Sequence, residues 1–307
     1  MRQPSHTPAE RLNIQALERE AEAERIIKQA AFAEVVKFTD DAYHTMFGRE
    51  PDAYKVVQDD EGNTIYEEKD KPLLYKLTEE DIRHMELDSN GKIQMAINGI
   101  FNNEYDAALY AIQHSENKKE PIYISAFPKA GNAISELMVA GYQKFLESDF
   151  WGLTNHTQQV KDILYQYGSQ GLDLSPHSRG SMTLGNAMKS MERDGAKNVL
   201  SNTDINPFGP AFNAQETANL LYKLSGGAKD YVSLQNHNDD FVGRVLGRNP
   251  ATYYQRPKDS SKANEWINMF SGAETVHSCG GSGKRGCYER YGEPKTIQIK
   301  AQRSKPR

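Results

Sequence analysis

The sequence predicts an α/β fold, in which helices cover both faces of a mostly parallel β-sheet. From residue 92 onwards, apolar runs typical of strands alternate with amphipathic runs typical of helices. The helical runs are about 10–15 residues long, as expected for the connections between parallel strands. With 307 residues, 37% of them hydrophobic and 26% charged, the chain can bury a core large enough for such a sheet.

The elements of this domain follow one another in order, and we place the domain at residues 91–300. Strands are predicted at residues 92–100, 121–127, 172–177, 198–206 and 231–235. Helices are predicted at residues 104–114, 133–146, 158–167, 180–193 and 214–224. Because strands and helices alternate, the strands are expected to run parallel.

Two segments precede this domain. Residues 1–48 are predicted to form an amphipathic helical segment, because apolar residues recur at helical spacing and neither Pro nor Gly interrupts residues 9–47. Residues 49–90 are polar and carry turn signals such as EGN at residues 61–63. We interpret this second segment as a linker of loops and hairpins.

The charge of the chain limits its partners. The formal net charge is −5 and the isoelectric point is near 6.0, which gives no general attraction to nucleic acid or anionic membranes. No run approaches the roughly 18 apolar residues that a membrane-spanning helix requires. The N-terminus also lacks the apolar stretch of a secretory signal. Taken alone, these features predict a cytoplasmic protein that binds no nucleic acid.

Two cysteines, Cys279 and Cys287, lie in the glycine-rich segment VHSCGGSGKRGCYERYG. They could be unpaired thiols, or they could form a short disulfide if the protein is exported. A zinc site is disfavoured because the chain has no second pair of cysteines. We predict no metal ion and no cofactor.

The strongest local motif is LDLSPHSRGSMTLGNAM at residues 172–188, where a predicted strand runs into a predicted helix at Ser178. A nucleophilic serine occupies such a turn because a sharp bend projects its oxygen above the sheet edge. Small residues are needed on both sides of the serine. Gly180 meets this requirement, whereas Pro176 replaces the usual glycine and lacks an N–H. The alternative is that Ser178 only caps the following helix.

A serine nucleophile needs a histidine base, which a carboxylate orients. Downstream of Ser178 lie Asp240 and then His277, which gives the order Ser, Asp, His found in α/β-hydrolases. Both follow strand-like segments, at the sheet end where open α/β folds bind ligands. We assign Asp240 as the acid, with Asp239 and Asp204 as alternatives.

The negative charge of an acyl-transfer intermediate requires two preorganised N–H groups, which form an oxyanion hole. One is assigned to the amide of Arg179, the residue after the nucleophile. The other is assigned to Ile100 or Phe101, in the turn NGIF between a predicted strand and a predicted helix. The alternatives are that this turn has no such role and that Lys129 contributes.

Several segments resemble the C-terminal region of bacterial filamentous-haemagglutinin and contact-dependent-inhibition exoproteins, over roughly residues 75–295. They are NGIFNNEYDAALYA, AISELMVAGYQKFLESDFWGLTN, HSRGSMTLGNAM and NPFGPAFN. The HSRG elbow and the segment DFVG also resemble those of lipases, and this pattern falls on Ser178, Asp240 and His277. The resemblance implies a secreted or cell-surface toxin or effector, delivered to a target cell and its membrane and neutralised by a cognate immunity protein. A signal peptide would then belong to the larger exoprotein.

Together these features predict an α/β-hydrolase-like serine hydrolase that cleaves an acyl ester through an acyl-enzyme. Residues 244–276 are rich in aromatic side chains and form either a lid, which favours lipid or phospholipid substrates, or a packed connecting helix. Thioesters and small esters are the next candidate substrates.

Two other classes of function stay open. A non-catalytic exoprotein module is favoured by Pro176, which departs from the elbow motif. A metal-dependent nuclease using His237, Asp239 and Asp240 has suitable residue types, but the net charge opposes tight binding of nucleic acid. As the base for a serine, His237 is disfavoured because it lies only three residues from Asp240.

Overall fold

The computed structural model describes residues 51–98, 104–115, 118–126, 153–271, 274–282 and 287–302, together with Arg25, Met46 and Phe47. Apart from those three residues, the predicted helical segment at residues 1–48 lies outside the described residues. The predicted helix at residues 133–146 lies outside them as well.

The central feature is a mixed sheet of six strands. In chain order the strands are β1 (Asp52–Val56), β2 (Tyr66–Glu68), β3 (Lys71–Pro72), β4 (Leu74–Lys76), β5 (Ile93–Ile97), β6 (Ile122–Ala126), β7 (Leu172–Pro176), β8 (Thr203–Ile205), β9 (Tyr231–Leu234) and β10 (Ile297–Lys300). The sheet has the order β4-β1-β6-β5-β7-β8. Strands β6, β5, β7 and β8 are parallel, and β1 is antiparallel to both of its neighbours. The prediction of a mostly parallel sheet is confirmed for the strands up to β8. It is wrong for the strand predicted at residues 231–235, because β9 pairs antiparallel with β10 in a separate two-stranded sheet.

Helices connect the parallel strands. They are α1 (Glu79–Arg83), α2 (Glu104–His114), α3 (Asn155–Tyr167), α4 (Arg179–Arg193), α5 (Ala214–Leu224), α6 (Lys262–Ser271), α7 (Val276–Ser282) and α8 (Cys287–Tyr291), with a π-helical turn at Val242–Leu246. Helices α2 and α5 have the predicted bounds. Helix α3 begins earlier than predicted, because the side chain of Thr154 accepts a hydrogen bond from the Thr157 amide and caps the helix there.

Both faces of the sheet are covered. One apolar cluster joins the sheet to α3, α4 and α5, and a second joins it to α2. Successive residues of β5 divide between these clusters, since Met95 belongs to the first and Ala96 to the second. The predicted layering of helices on both sides of the sheet is therefore observed. No helix within the described ranges has the length and apolar character needed to cross a bilayer.

The segment at residues 49–90 contributes more than a linker. It contains the predicted hairpin features, including the β2–β3 pair, but its strands β1 and β4 extend the central sheet through antiparallel pairing. The predicted boundary between residues 90 and 91 therefore does not separate this segment from the sheet. The strand predicted at residues 198–206 is shorter than expected and comprises β8 alone.

Phe208, which follows β8, extends the carboxyl end of the sheet. Phe208 forms parallel bridges to His177, which follows β7, and to Gln235, which follows β9. The Phe208 amide donates to the Pro176 carbonyl at 3.0 Å, and the Gly209 amide donates to the Gln235 carbonyl at 2.9 Å. These bridges bring the segments that follow β7, β8 and β9 to one edge, where ligands bind in open α/β sheets.

Candidate active site

Ser178 lies on a tight turn between β7 and α4. Its backbone has φ +52° and ψ −123°, a conformation that residues other than glycine rarely adopt. Two hydrogen bonds fix the turn, because the amide and the hydroxyl of Ser181 both donate to the Ser178 carbonyl, at 3.1 and 2.6 Å. The side chain is fully buried. This is the strained strand-to-helix turn that the motif predicts.

The Ser178 side chain does not cap α4. Ser178 is the residue that precedes the helix, but its hydroxyl makes no capping bond to the described first turn. The Oγ atom instead lies 2.8 Å from Nε2 of His277, 99 residues along the chain. The alternative in which this serine only caps the helix is therefore wrong.

Pro176 is accommodated without loss of the elbow. The regular pairing of β7 with β8 ends at Leu174, two residues before the proline. It resumes after the proline as a bridge between His177 and Phe208. On the other side, the pairing with β5 continues through Pro176 itself. The missing N–H thus interrupts only one ladder, locally. A Cβ atom at Gly180 would overlap backbone oxygens at the end of β5, so a small residue is required there.

Asp240, His277 and Ser178 form a hydrogen-bonded chain. Nδ1 of His277 lies 2.9 Å from each carboxylate oxygen of Asp240, and Nε2 lies 2.8 Å from the Ser178 oxygen. All three side chains are buried. Since a carboxylate can only accept, Nδ1 carries the proton and Nε2 is left to accept from the serine hydroxyl. This is the tautomer that a histidine base requires.

Asp240 and His277 are held by different kinds of element. Asp240 follows β9, as predicted, and its Oδ1 accepts the Gly243 amide at 3.1 Å, which fixes the direction of the carboxylate. The prediction that His277 follows a strand is wrong, because it is the second residue of helix α7.

The alternative acids face other partners. Asp239 is buried beside Arg256, at 3.4 Å, and accepts a bond from Asn238. Asp204 lies within β8 and accepts hydrogen bonds from the ammonium groups of Lys92 and Lys229. Lys92 lies just before β5, and Lys229 lies just before β9. The Asp204 carboxylate is therefore directed to the amino end of the sheet. Neither alternative carboxylate bonds a histidine in the described structure.

His237 has a structural role. Its Nδ1 accepts the Asp239 amide at 2.9 Å, and its Nε2–H donates to the Gln255 carbonyl at 2.7 Å. Both ring nitrogens are thus used by backbone groups. Within the described residues, the ligand atoms of His237, Asp239 and Asp240 do not form a cluster of the size that a metal ion requires. This arrangement does not favour the nuclease alternative.

Only one of the two predicted oxyanion donors lies among the described residues. Arg179 is the first residue of α4, so its amide lies at the positive end of the helix dipole, directly after the nucleophile. Its side chain is buried. The predicted donors Ile100 and Phe101, and the alternative Lys129, lie outside the described residues. One of the two expected donors therefore has a defined place.

A second serine–histidine pair lies inside the domain. The Ser125 oxygen is 2.8 Å from Nε2 of His156. Ser125 is on the regular strand β6 and is fully buried. Burial, and then the charge of Arg179, lower the pKa of His156 to about 3. A group with so low a pKa is a poor general base near neutral pH, so this pair provides a comparison for the first.

His177 packs against His277. Its ring stacks on that of His277 with centroids 4.8 Å apart, and its Nε2–H donates to the His277 carbonyl at 3.2 Å. The ring of Tyr110 packs on the ring of His177, with centroids 5.0 Å apart. Burial, and then the neighbouring imidazoles of His277 and His114, hold the pKa of His177 well below its usual range. A neutral ring thus packs on the imidazole of His277. The elbow motif contains His177, but nothing in the sequence predicts its contact with His277.

Gly209 lies against the hydrogen bond between Asp240 and His277. Its φ is +45°, and a Cβ atom there would overlap Oδ2 of Asp240 and lie 3.2 Å from Nδ1 of His277. We expect Gly209→Ala to lower kcat by about 10²-fold, because small displacements of catalytic groups have effects of that size. Gly195→Ala is the matched control, since Gly195 has φ +74° and open space around it. Equal activity of the two variants in an ester hydrolysis assay would contradict the assignment.

The buried histidines predict a loss of stability in acid. In the unfolded chain His156 takes up a proton near its ordinary pKa of 6.5, whereas the folded protein keeps it neutral down to about 3. The free energy of unfolding must therefore fall as the pH drops below 6.5. Between pH 7.5 and 5.5, His156 alone accounts for about 1.4 kcal/mol.

Urea unfolding of wild type and His156→Gln at the two pH values measures this contribution. The variant should lose about 1.4 kcal/mol less than wild type over the same interval. His84→Gln is the control, because His84 is exposed. The same pH dependence in all three proteins would mean that the imidazole of His156 is not kept neutral.

The segment at residues 244–276 packs against the acid loop. The indole N–H of Trp266 donates to the Asp239 carbonyl at 3.2 Å, and its ring meets Phe241 edge-on at 5.1 Å. Tyr253 is buried against His237. These contacts favour the alternative of a packed connecting helix over a lid.

Comparisons of the chain with models of known protein families, with curated proteins and with solved structures gave no match.

Proposed function

We propose that this protein is a serine hydrolase with an α/β-hydrolase-like fold, which cleaves an acyl ester through a covalent intermediate. The observation that carries the proposal is the hydrogen-bonded chain from Asp240 through His277 to a serine on a positive-φ turn. Residues distant in sequence meet there in the order Ser, Asp, His that α/β-hydrolases use. The position of the acid after β9, beside the elbow, supports the same fold.

The reaction follows from the directions of these hydrogen bonds. His277 takes the Ser178 proton on Nε2 while the serine oxygen attacks the acyl carbon. Asp240 stabilises the imidazolium that forms, and the amide of Arg179 stabilises the oxyanion together with a second N–H. His277 then protonates the departing alcohol. In the second half, water attacks the acyl-enzyme with His277 again as the base, which releases the acid and restores the serine.

The proposed substrates are acyl esters, with lipid or phospholipid esters as the leading class. The lipase-like elbow supports this choice, whereas the packed segment at residues 244–276 does not provide a lid. Hydrolysis rates on p-nitrophenyl esters of increasing chain length, and on phospholipid vesicles, separate the classes. A rate that falls with chain length, with no cleavage of vesicles, would favour a small-ester or thioester hydrolase.

The biological setting proposed from the sequence resemblance is a toxin or effector within a secreted exoprotein, acting on a target cell and held in check by an immunity protein. Expression in a bacterial cytoplasm or periplasm, with and without Ser178, tests this setting. Growth arrest that needs the serine supports it, and normal growth in both compartments opposes it. The enzymatic proposal does not depend on the result.

Labelling with a fluorophosphonate, followed by peptide mapping, tests the enzymatic proposal directly. We expect one modified residue, Ser178, because the reagent reacts with serines that a histidine activates. Modification of another serine would displace the assigned nucleophile. The absence of labelling would favour a non-catalytic module. Activity that requires a divalent metal and is directed at nucleic acid would support the nuclease alternative.

A further inference from the structure

The helix that carries the base belongs to a small satellite cluster. Helix α7 contributes Val276 and Cys279 to this cluster, and these residues pack with Cys287 and Tyr291 of α8. This cluster is separate from the two clusters that cover the faces of the sheet. A helix of seven residues is too short to be stable by itself. The position of the base therefore depends on the contacts that hold this small unit.

A buried carboxylate holds the beginning of α7. Glu265, on α6, is 4% exposed. Its Oε2 accepts the amide of Val276, the residue before His277, at 2.9 Å. Its Oε1 accepts the hydroxyl of Tyr291 at 3.0 Å and that of Ser260 at 2.8 Å. The carboxylate thus ties the first residue of the base-bearing helix to both neighbouring helices.

A disulfide holds the other side of His277. Cys279, two residues after the base, is bonded to Cys287 at the beginning of α8, with Cα atoms 5.4 Å apart. Helix α8 returns through Tyr291 to Glu265. The connections form a closed ring, from α6 to α7, across the disulfide to α8 and back to α6. His277 lies between the hydrogen-bonded link and the covalent one.

We propose that the Cys279–Cys287 disulfide and Glu265 are positioning groups for His277, so that the hydrolase is active when oxidised and loses activity when a dithiol reduces it. This inference rests on the proposed function. In the reduction, the dithiol gives up two electrons and two protons. The S–S bond breaks, both cysteines become thiols, and the reductant closes to its own disulfide.

The ring of His277 is also held by Asp240 and by the stacked ring of His177, but the disulfide is the covalent tie of the seven-residue helix that carries it. Without the disulfide, α7 keeps the Glu265 link at one end but loses its covalent link to α8. A displacement of about 1 Å between base and nucleophile can lower the rate about 10²-fold. The sheet and its two main clusters do not depend on this bond, so the rest of the fold should persist. Reduction should be slow, because both sulfur atoms belong to buried residues.

The rate of Ser178 labelling by a fluorophosphonate measures the effect in the whole chain. We compare oxidised protein, protein reduced with dithiothreitol, and reduced protein after reoxidation, with thiols counted in each sample. Because the chain has only two cysteines, the reductant can act on this bond alone. We expect a 10–100-fold slower rate after reduction and recovery after reoxidation.

Three variants make the test specific. Cys279→Ser/Cys287→Ser should label as slowly as reduced wild type and should not respond to dithiothreitol. Glu265→Ala should lower kcat more than it changes KM for a small ester, whereas Glu265→Gln, which keeps an oxygen acceptor, should recover part of the rate. Arg290→Ala is the matched control, because its exposed ion pair with Glu274 also links α8 to the segment before α7. Its labelling rate should match wild type.

The outcomes separate the two proposals. Equal labelling rates in oxidised and reduced protein would overturn the positioning role while leaving the serine hydrolase intact. Absence of labelling in every state would overturn the proposed function itself. Circular dichroism and urea unfolding of the reduced protein complete the test, since global unfolding on reduction would show that the disulfide supports the whole fold and not the base.

Discussion

Replacement of Ser178 by alanine is expected to abolish fluorophosphonate labelling and to lower kcat for ester hydrolysis by on the order of 10⁶-fold. The loss is this large because the base and the acid have no function without the nucleophile, so the three groups act as one unit. The fold should persist. The change removes one hydrogen bond to His277, and the free energy of unfolding should change by no more than about 1–2 kcal/mol.

The second serine–histidine pair provides the control. Ser125 lies at the same 2.8 Å from a histidine nitrogen as Ser178, but on a regular strand and beside a histidine of low pKa. We expect Ser125→Ala to keep both labelling and hydrolysis, with some loss of stability. A variant without Ser178 that still hydrolyses esters, or an inactive Ser125→Ala of native stability, would place the nucleophile elsewhere.

Much of the fold was predictable because it follows from local patterns. Both ends of helix α2 were predicted correctly, because its apolar periodicity is strong and a strand lies on either side of it in the sequence. The elbow was predictable for a similar reason, because the sharp turn needs Gly180 close behind Ser178 in the sequence. The chain order then selected Asp240 and His277, and the described structure brings those residues together.

Other features depend on neighbours that are distant in the chain. Strands β1 and β4 join the sheet by antiparallel pairing, which leaves no trace in the alternation that predicted the parallel strands. The link from Glu265 to α7 joins residues on different helices, and a single glutamate on an amphipathic helix looks like an ordinary exposed residue. The spacing of the cysteines allowed a disulfide, but its importance appears only once α7 is seen to carry the base.

Replacement of Asp240 by asparagine should lower kcat by about 10⁴-fold without disturbing the fold, because it inverts the tautomer of the base. The reason lies in the second partner of the carboxylate. Oδ1 accepts the Gly243 amide, so an asparagine would place its oxygen there and direct its NH₂ group at Nδ1 of His277. A proton on Nδ1 would then face the hydrogens of this NH₂ group, so the tautomer with the proton on Nε2 becomes favoured. A protonated Nε2 cannot take the proton of Ser178.

Asp239→Asn is the matched control for this change. Asp239 is the adjacent buried carboxylate, but it faces Arg256 and Asn238 instead of the base. We expect it to keep kcat within about tenfold of wild type, since any effect must pass through the acid loop. A loss in Asp239→Asn larger than that in Asp240→Asn would exchange the two assignments. A small effect of both would mean that no carboxylate orients His277, and the hydrogen-bonded chain would then be a structural feature of the fold.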